Sequence, residues 1–125
     1  MGIRTGITKE VGVTPKAILV APEEAISMSV FCDNTGVAAK DGKKVIKVGT
    51  PLAGNLENRN TAFKVATGAD AVGIAISEMD VTNAEANGTI LVDGVINVAK
   101  LDADVAALIT EEVKTALAGK ITFVK

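Results

Sequence analysis

Side chains that could do chemistry are few in this sequence. The chain has no histidine, and Cys32 is its only cysteine. A cysteine nucleophile needs a base beside it, and histidine is the commonest base in that role. A lone cysteine also cannot form an intramolecular disulfide. We therefore expect Cys32 to be a small buried apolar side chain near a strand.

Three acids, Glu78, Asp80 and Glu85, lie close enough in sequence to raise the hypothesis of a metal site. An EF-hand loop needs oxygen ligands at alternate positions, a glycine at the sixth and a glutamate at the twelfth, and this spacing does not match. Glycosidase carboxylates normally come with aromatic platforms, which this segment lacks. We expect three solvated loop acids, with no metal ligand and no catalytic residue among them.

Glycine-containing motifs offer two further sites to consider. Segment 41–44 (DGKK) joins a glycine to two lysines, but a P-loop needs a second glycine and a Ser or Thr after the lysine. The Asp-Gly pair instead favours a tight hairpin turn. Segment 87–89 (NGT) matches a glycosylation acceptor, yet no secretion signal accompanies it, so we predict a turn there.

Composition excludes several classes of function. The chain of 125 residues is the size of one domain, and its net charge is −2 with the 13 Lys and Arg scattered along it. No nucleic-acid partner is expected, because a clustered basic surface is missing. No apolar run approaches the roughly 18 to 20 residues of a membrane span, so no membrane association is expected. The first residues lack a secretory h-region, which indicates an intracellular origin.

Aromatic residues make up 2% of the chain and are all phenylalanine: Phe31, Phe63 and Phe123. Aromatic rings are the usual stacking platforms for bases and the usual anchors of protein interfaces. We therefore expect no bound cofactor. Contacts with partners are expected to use backbone, aliphatic and polar groups spread over an area.

The centre of the predicted fold is segment 69–101. Two β-branched apolar runs, 71–76 and 89–98, flank a polar segment, which predicts strand, loop and strand. Within the second run, the Asp93-Gly94 pair indicates a bulge or a tight turn. Pro51 lacks a ladder donor and predicts an edge strand. Further strands are predicted at 17–21, 28–31, 45–48, 63–66 and 120–124.

Segment 102–117 is the one convincing helix in the pattern. Its apolar residues recur at spacings of three and four, Asp102 or Asp104 can cap its start, and Gly119 follows its end. Residues 1–12 are polar and glycine-spaced, which predicts either an extended arm or a disordered terminus. We divide the chain into an arm at 1–12 and a single β-rich domain at 13–125.

The order of motifs along the chain resembles a known family. The features are the corner at 49–52 (GTPL), the strand at 70–74 (DAVGI) with a loop containing Asp80, the Gly94 strand with Leu101, and the closing segment 118–121 (AGKI). Together they resemble the lambda-type bacteriophage head decoration proteins and their prophage relatives over 45–125. Segment 14–42 shows no motif match.

This resemblance implies a mainly β fold, a small domain of the β-tulip or β-clip type with one C-terminal helix, for which α+β is the alternative label. It implies a structural virion protein, not an enzyme, that binds the expanded capsid as a homotrimer and stabilises it. The implied partner is the major capsid protein, and the implied location is the virion surface after synthesis in the bacterial cytoplasm. The residues that would contact the capsid are Gly2, Ile3, Arg4, Thr5, Gly6, Ile7 and Thr8.

Two other classes of function stay open. One is a β-clip-like accessory module that binds a ligand or a host structure at the base of a head fibre. A polar pocket would favour this module, and the scarcity of aromatic residues counts against it. The other is an enzyme that uses carboxylates, lysine or serine in loops, for which the sequence shows no paired arrangement.

Overall fold

A computed structural model describes residues 19–20 and 25–124 of the chain. The predicted mainly β class is confirmed, since 41% of the chain is strand, in antiparallel sheets, with two short helices near the C-terminus. The elements are β1 (Leu19–Val20), β2 (Ile26–Cys32), β3 (Val45–Ile46), β4 (Pro51–Ala53), β5 (Lys64–Val65), β6 (Ala71–Ala75), β7 (Met79–Asp80), β8 (Ala86–Asn97), a 3₁₀ turn (Val98–Lys100), α1 (Ala103–Ala106), α2 (Glu111–Ala116) and β9 (Ile121–Val124).

Strand β8 is the longest element and the centre of the fold, as its β-branched run predicts. It pairs antiparallel with β1, β2 and β6 and parallel with β9. Both β2 and β6 pair with Ile90 and Leu91, so they lie on opposite edges of β8. By the same argument β1 and β9, which both pair with Val95 and Ile96, flank its second half.

The first half of β8 belongs to a sheet that closes on itself. The strand order is β2, β8, β6, β4, β5, and Phe63, just before β5, forms a parallel bridge with Cys32. The N–H of Phe63 donates to the carbonyl of Phe31 (2.8 Å), and the N–H of Asp33 donates to the carbonyl of Phe63 (3.0 Å). The resulting ring surrounds a first core that includes Val30, Cys32, Leu52, Phe63, Met79 and Ile90.

A register shift in β8 divides the protein into two cores. Ile26 pairs with Asp93 while the next residue of β2 pairs with Leu91, so one residue of β8 is passed over. Leu91 and Ile96 are five apart and would face opposite sides of a regular strand. Both nevertheless belong to the second core, with Val113 and Ile121. Of the two predicted interruptions at Asp93-Gly94, the bulge is therefore correct, and β8 continues through it.

The predicted single helix at 102–117 is wrong, because the segment forms two short helices. Between them Thr110 is extended (φ −85°, ψ 173°), and its Oγ1 accepts a hydrogen bond from the N–H of Val113 (3.4 Å) as the N-cap of α2. The apolar stripe persists across the break, because every fourth residue stays buried: Val105, Ile109, Val113 and Leu117. None of the helices in this described region is long and apolar enough to cross a membrane.

Three turn predictions have different outcomes. At the Asp41-Gly42 turn, Lys40 and Lys43 exchange both backbone hydrogen bonds (2.7 and 3.0 Å) around residues with φ of 55° and 78°, which confirms the hairpin. Gly119 has the predicted left-handed conformation (φ 83°), but it lies in the turn after α2, which ends at Ala116. The predicted turn at Asn87-Gly88 is wrong, because both residues lie within β8 opposite β2.

Pro51 does not mark an edge, which corrects another prediction. Its strand, β4, lies between β6 and β5, with Leu52 paired to both Gly73 and Val65. Pro51 is the first residue of the strand, a position where the missing N–H is tolerated even inside a sheet. Its carbonyl still accepts a hydrogen bond from the N–H of Ala66 (2.9 Å).

Candidate functional site

The predicted capsid-binding residues lie outside the residues that the structure describes, and so does the whole predicted arm at 1–12. They stay a sequence prediction. They are Gly2, Ile3, Arg4, Thr5, Gly6, Ile7 and Thr8.

Cys32 ends β2 inside the first core and has no exposed surface. Burial, and secondarily the charge of Asp33, raises the pKa of its thiol to about 11. Because the thiolate is the nucleophilic form, the thiol is unreactive at neutral pH. The prediction that Cys32 is a buried apolar side chain is confirmed.

The three candidate acids, Glu78, Asp80 and Glu85, are exposed. The carboxylate of Asp80 accepts hydrogen bonds from the hydroxyl (2.6 Å) and the N–H (3.0 Å) of Thr82, which hold its pKa below the ordinary value. The Thr82 hydroxyl oxygen in turn accepts from the N–H of Lys44 (2.8 Å). Asp80 thus fixes the chain beside β3 and β7. Within residues 19–20 and 25–124, no three His, Cys, Asp or Glu side chains are placed to hold a metal ion.

A groove of about 670 Å³ lies between the segment 36–47 and helix α1. Its floor is apolar, formed by Ile46, Val65 and Val105, and Leu108 stands on its rim with 42% of its surface exposed. Volumes of this size are typical of sites for small ligands. We call this feature the groove.

Lys47 joins the two walls of the groove. Its ammonium lies 3.1 Å from Asp104 Oδ2 and 3.5 Å from Asp102 Oδ2, at the start of α1. The hydrogen bond to Asp104 is the main reason that the pKa of Lys47 is raised and that of Asp104 is lowered. This arrangement positions α1 against the corner that follows β3.

Lys40 and Lys43 also line the groove. As antiparallel bridge partners they face each other directly across the hairpin, and both side chains are exposed. Among the described residues, neither ammonium lies within ion-pair distance of a carboxylate. Opposed like charges destabilise a β pair, so the space beside these two lysines is suited to an anion.

A second surface lies on the outer side of strands β1, β8 and β9. After the bulge, Ile96 points into the second core, so its neighbour Val95 points outward together with its β1 partner Val20. Val124 at the end of β9 pairs with Asn97, and Ile26 at the start of β2 pairs with Asp93. Both partners in β8 point away from the second core, so Val124 and Ile26 lie on the same outward side as Val95.

Exposure makes this surface distinctive. Val20, Ile26 and Val124 are 42%, 55% and 38% exposed, and they are three of the four exposed large apolar side chains in the described segments. We call the surface formed by Val20, Ile26, Val95 and Val124 the outer face. Clustered apolar exposure of this kind is typical of surfaces that contact another macromolecule.

Neither surface is predicted as a site from the sequence. Lys40, Lys43 and Lys47 line the groove and recur in sequence at spacings of three and four. This spacing indicates a shared groove only once the hairpin and α1 are known to lie together. The outer face depends on the bulge in β8, and the strand pattern alone does not say which side remains uncovered.

Comparison with known proteins adds no assignment. The chain matches no protein-family model and no curated protein.

Proposed function

We propose that this protein is a structural virion component that binds the outer surface of an expanded phage capsid as a homotrimer and stabilises it. The proposal starts from the sequence resemblance. One structural observation supports it most directly: the outer face begins at β1, the strand that follows segment 1–18. The predicted arm therefore precedes, in sequence, the first strand of the surface that carries three of the four exposed large apolar side chains of the described residues.

The shape of the fold is compatible with this role. The ring of strands and the second core share β8, so short elements are joined through one central strand. A subunit that acts by contact area needs no reactive centre, and weak contacts at each site add up when a symmetric oligomer binds through several copies at once. The proposed protein is accordingly not an enzyme.

Co-sedimentation with expanded, decoration-free shells of the cognate major capsid protein tests this function. The expected result is saturable binding at three copies for each three-fold position of the shell. The absence of binding to correctly expanded shells would reject the role.

Variants can then locate the contact surface. Deletion of residues 1–12 should leave a folded domain that binds shells more weakly, and Ile26→Asn should weaken binding through the outer face. Leu108→Asn is the matched control, because Leu108 is similarly exposed but lies on the rim of the groove. Equal loss in both point variants would contradict a specific role for the outer face.

A ligand-binding accessory module is the second candidate function, and the groove is the observation that favours it. The groove is large enough for a small molecule and combines an apolar floor with charged groups on its rim. A chain that bound a small ligand but never sedimented with shells would favour this module over the decoration subunit.

A further inference from the structure

The lysines that line the groove differ in whether they are paired. Lys47 is neutralised by Asp102 and Asp104, while Lys40 and Lys43 face each other without an ion-pair partner among the described residues. Apolar side chains line the same groove. A ligand that matches both properties has one negative group and an aliphatic body.

We propose that the groove binds a small amphipathic carboxylate, with its carboxylate between the ammonium groups of Lys40 and Lys43 and its aliphatic chain against Val65, Val105 and Leu108. This site goes beyond the capsid role and does not depend on it. The carboxylate removes the repulsion between two opposed lysines, and charge-assisted hydrogen bonds to it are stronger than those between neutral groups. The aliphatic chain of the ligand covers the exposed apolar surface of Leu108 on the rim of the groove.

Three acids near the paired lysines set limits on the ligand. Asp41 is in the hairpin turn and Glu78 is on the wall of the groove, and both line the same space as the paired lysines. The charge of Lys43 also acts on the carboxylate of Asp80. These acids offset the positive charge of the two lysines, so the ligand carries one carboxylate and not a polyanion. Glu78 repels that carboxylate, so replacing Glu78 by a neutral residue strengthens binding.

Titration of the full chain with octanoate, followed by NMR and calorimetry, tests the proposal. The expected result is saturable binding whose shift changes map to segment 36–47 and α1. Octanol and octylammonium are the matched probes, because they keep the chain and replace the negative group. Binding of octanol or octylammonium as tight as that of octanoate would overturn the proposal, and so would the absence of octanoate binding.

Charge variants identify the residues involved. The double variant Lys40→Gln/Lys43→Gln should bind octanoate at least about tenfold more weakly, while Lys100→Gln, an exposed lysine outside the groove, should bind it as the unaltered chain does. Glu78→Gln should bind more tightly. Equal affinity of the double variant and Lys100→Gln would reject the assignment.

The same double variant separates this inference from the proposed function. Shell binding should be unchanged when both lysines are replaced, because the outer face lies on other strands. A chain that binds octanoate but not shells keeps the groove assignment and loses the capsid role, and the reverse result loses the groove assignment alone. Leu108→Asn should weaken octanoate binding without affecting shell binding. Its circular dichroism spectrum should match that of the unaltered protein.

Discussion

Phe63 and Cys32 are parallel bridge partners, and their pairing closes a five-stranded sheet into a ring. Both side chains have no exposed surface and pack in the first core. The bridge joins β2 to the residue before β5, which are far apart in the chain, so it depends on the whole ring being assembled. The loop 55–62 lies just before Phe63, and within it the Arg59 guanidinium donates to the carbonyl of Ser29 (2.9 Å), a second link to β2.

Replacement of Phe63 by alanine should destabilise the protein by about 3 to 5 kcal/mol, because it removes the largest buried side chain of the ring and leaves a cavity. Urea unfolding measures the change. Phe123→Ala is the matched control. Phe123 is only partly buried on β9, so its replacement should lower the free energy of unfolding much less. Similar losses in the two variants would show that the closure at Phe63 is not a main source of stability.

Gly73→Ala should destabilise the fold by about 1 to 3 kcal/mol, because the new methyl group has no room. A Cβ at Gly73 would lie 2.5 Å from the carbonyl oxygen of Leu91 and 2.6 Å from Ile90 Cγ1, and the backbone of the central strand cannot move aside. Gly42→Ala is the comparison, because nothing lies near its Cβ and only its positive φ disfavours alanine. A smaller loss at Gly73 than at Gly42 would contradict this account of β6 and β8.

The link between Lys47 and Asp104 predicts a pH-dependent contribution to stability. Because the pKa of Asp104 is lowered in the folded state, its contribution is present above the unfolded value near pH 4 and is lost as the pH falls through the lower folded value. The raised pKa of Lys47 predicts a second loss at the alkaline end, as the pH rises through its folded value above 10.5.

Thermal unfolding of Asp104→Asn checks this prediction. Its melting temperature should lie below that of the unaltered chain at about pH 7, and the two should converge as the pH falls through the lowered pKa of Asp104, below which both forms are uncharged at this position. Asp93→Asn, at an exposed site away from α1, should behave like the unaltered chain throughout. A gap for Asp104→Asn that persists at acid pH would argue against the ion pair as its cause.

Cys32 should resist alkylation by iodoacetamide in the native protein, because its pKa of about 11 keeps the thiol protonated and the core excludes the reagent. Labelling should become fast in denaturant, and its rate at lower denaturant concentrations should follow global unfolding. Rapid labelling of the native chain would show that the bridge between β2 and Phe63 opens locally.

Local sequence patterns predicted the elements that local geometry controls. The Asp41-Gly42 pair specified its hairpin, Gly119 adopted its left-handed conformation after α2, and the apolar run at 89–98 identified most of β8. The failures came where a distant partner changed the local preference. Asn-Gly chemistry alone suggests a turn at Gly88, but Gly88 pairs with Val30 of β2, and the sulfur of Met79 occupies the place of a Cβ there.

The helix boundary and the edge assignment failed for related reasons. The spacing of Val105, Ile109, Val113 and Leu117 is helical, but it specifies which side is buried and not whether the backbone is continuous. Thr110 interrupts the helix with its own side-chain cap. Pro51 lacks a donor, but a first strand position needs none, so it is found inside a sheet.

By itself the sequence determined the mainly β class, the hairpin and the burial of Cys32, because each follows from composition or from a period of a few residues. The tertiary structure alone decided which core each side chain enters: Leu91 and Ile96 would face opposite sides of a regular strand, and the bulge puts both in the second core. It also decided the ring closure, the outer face and the groove. Lys47 meets Asp104 across 57 residues, and contacts at that separation depend on strand registers and a bulge that no local pattern encodes.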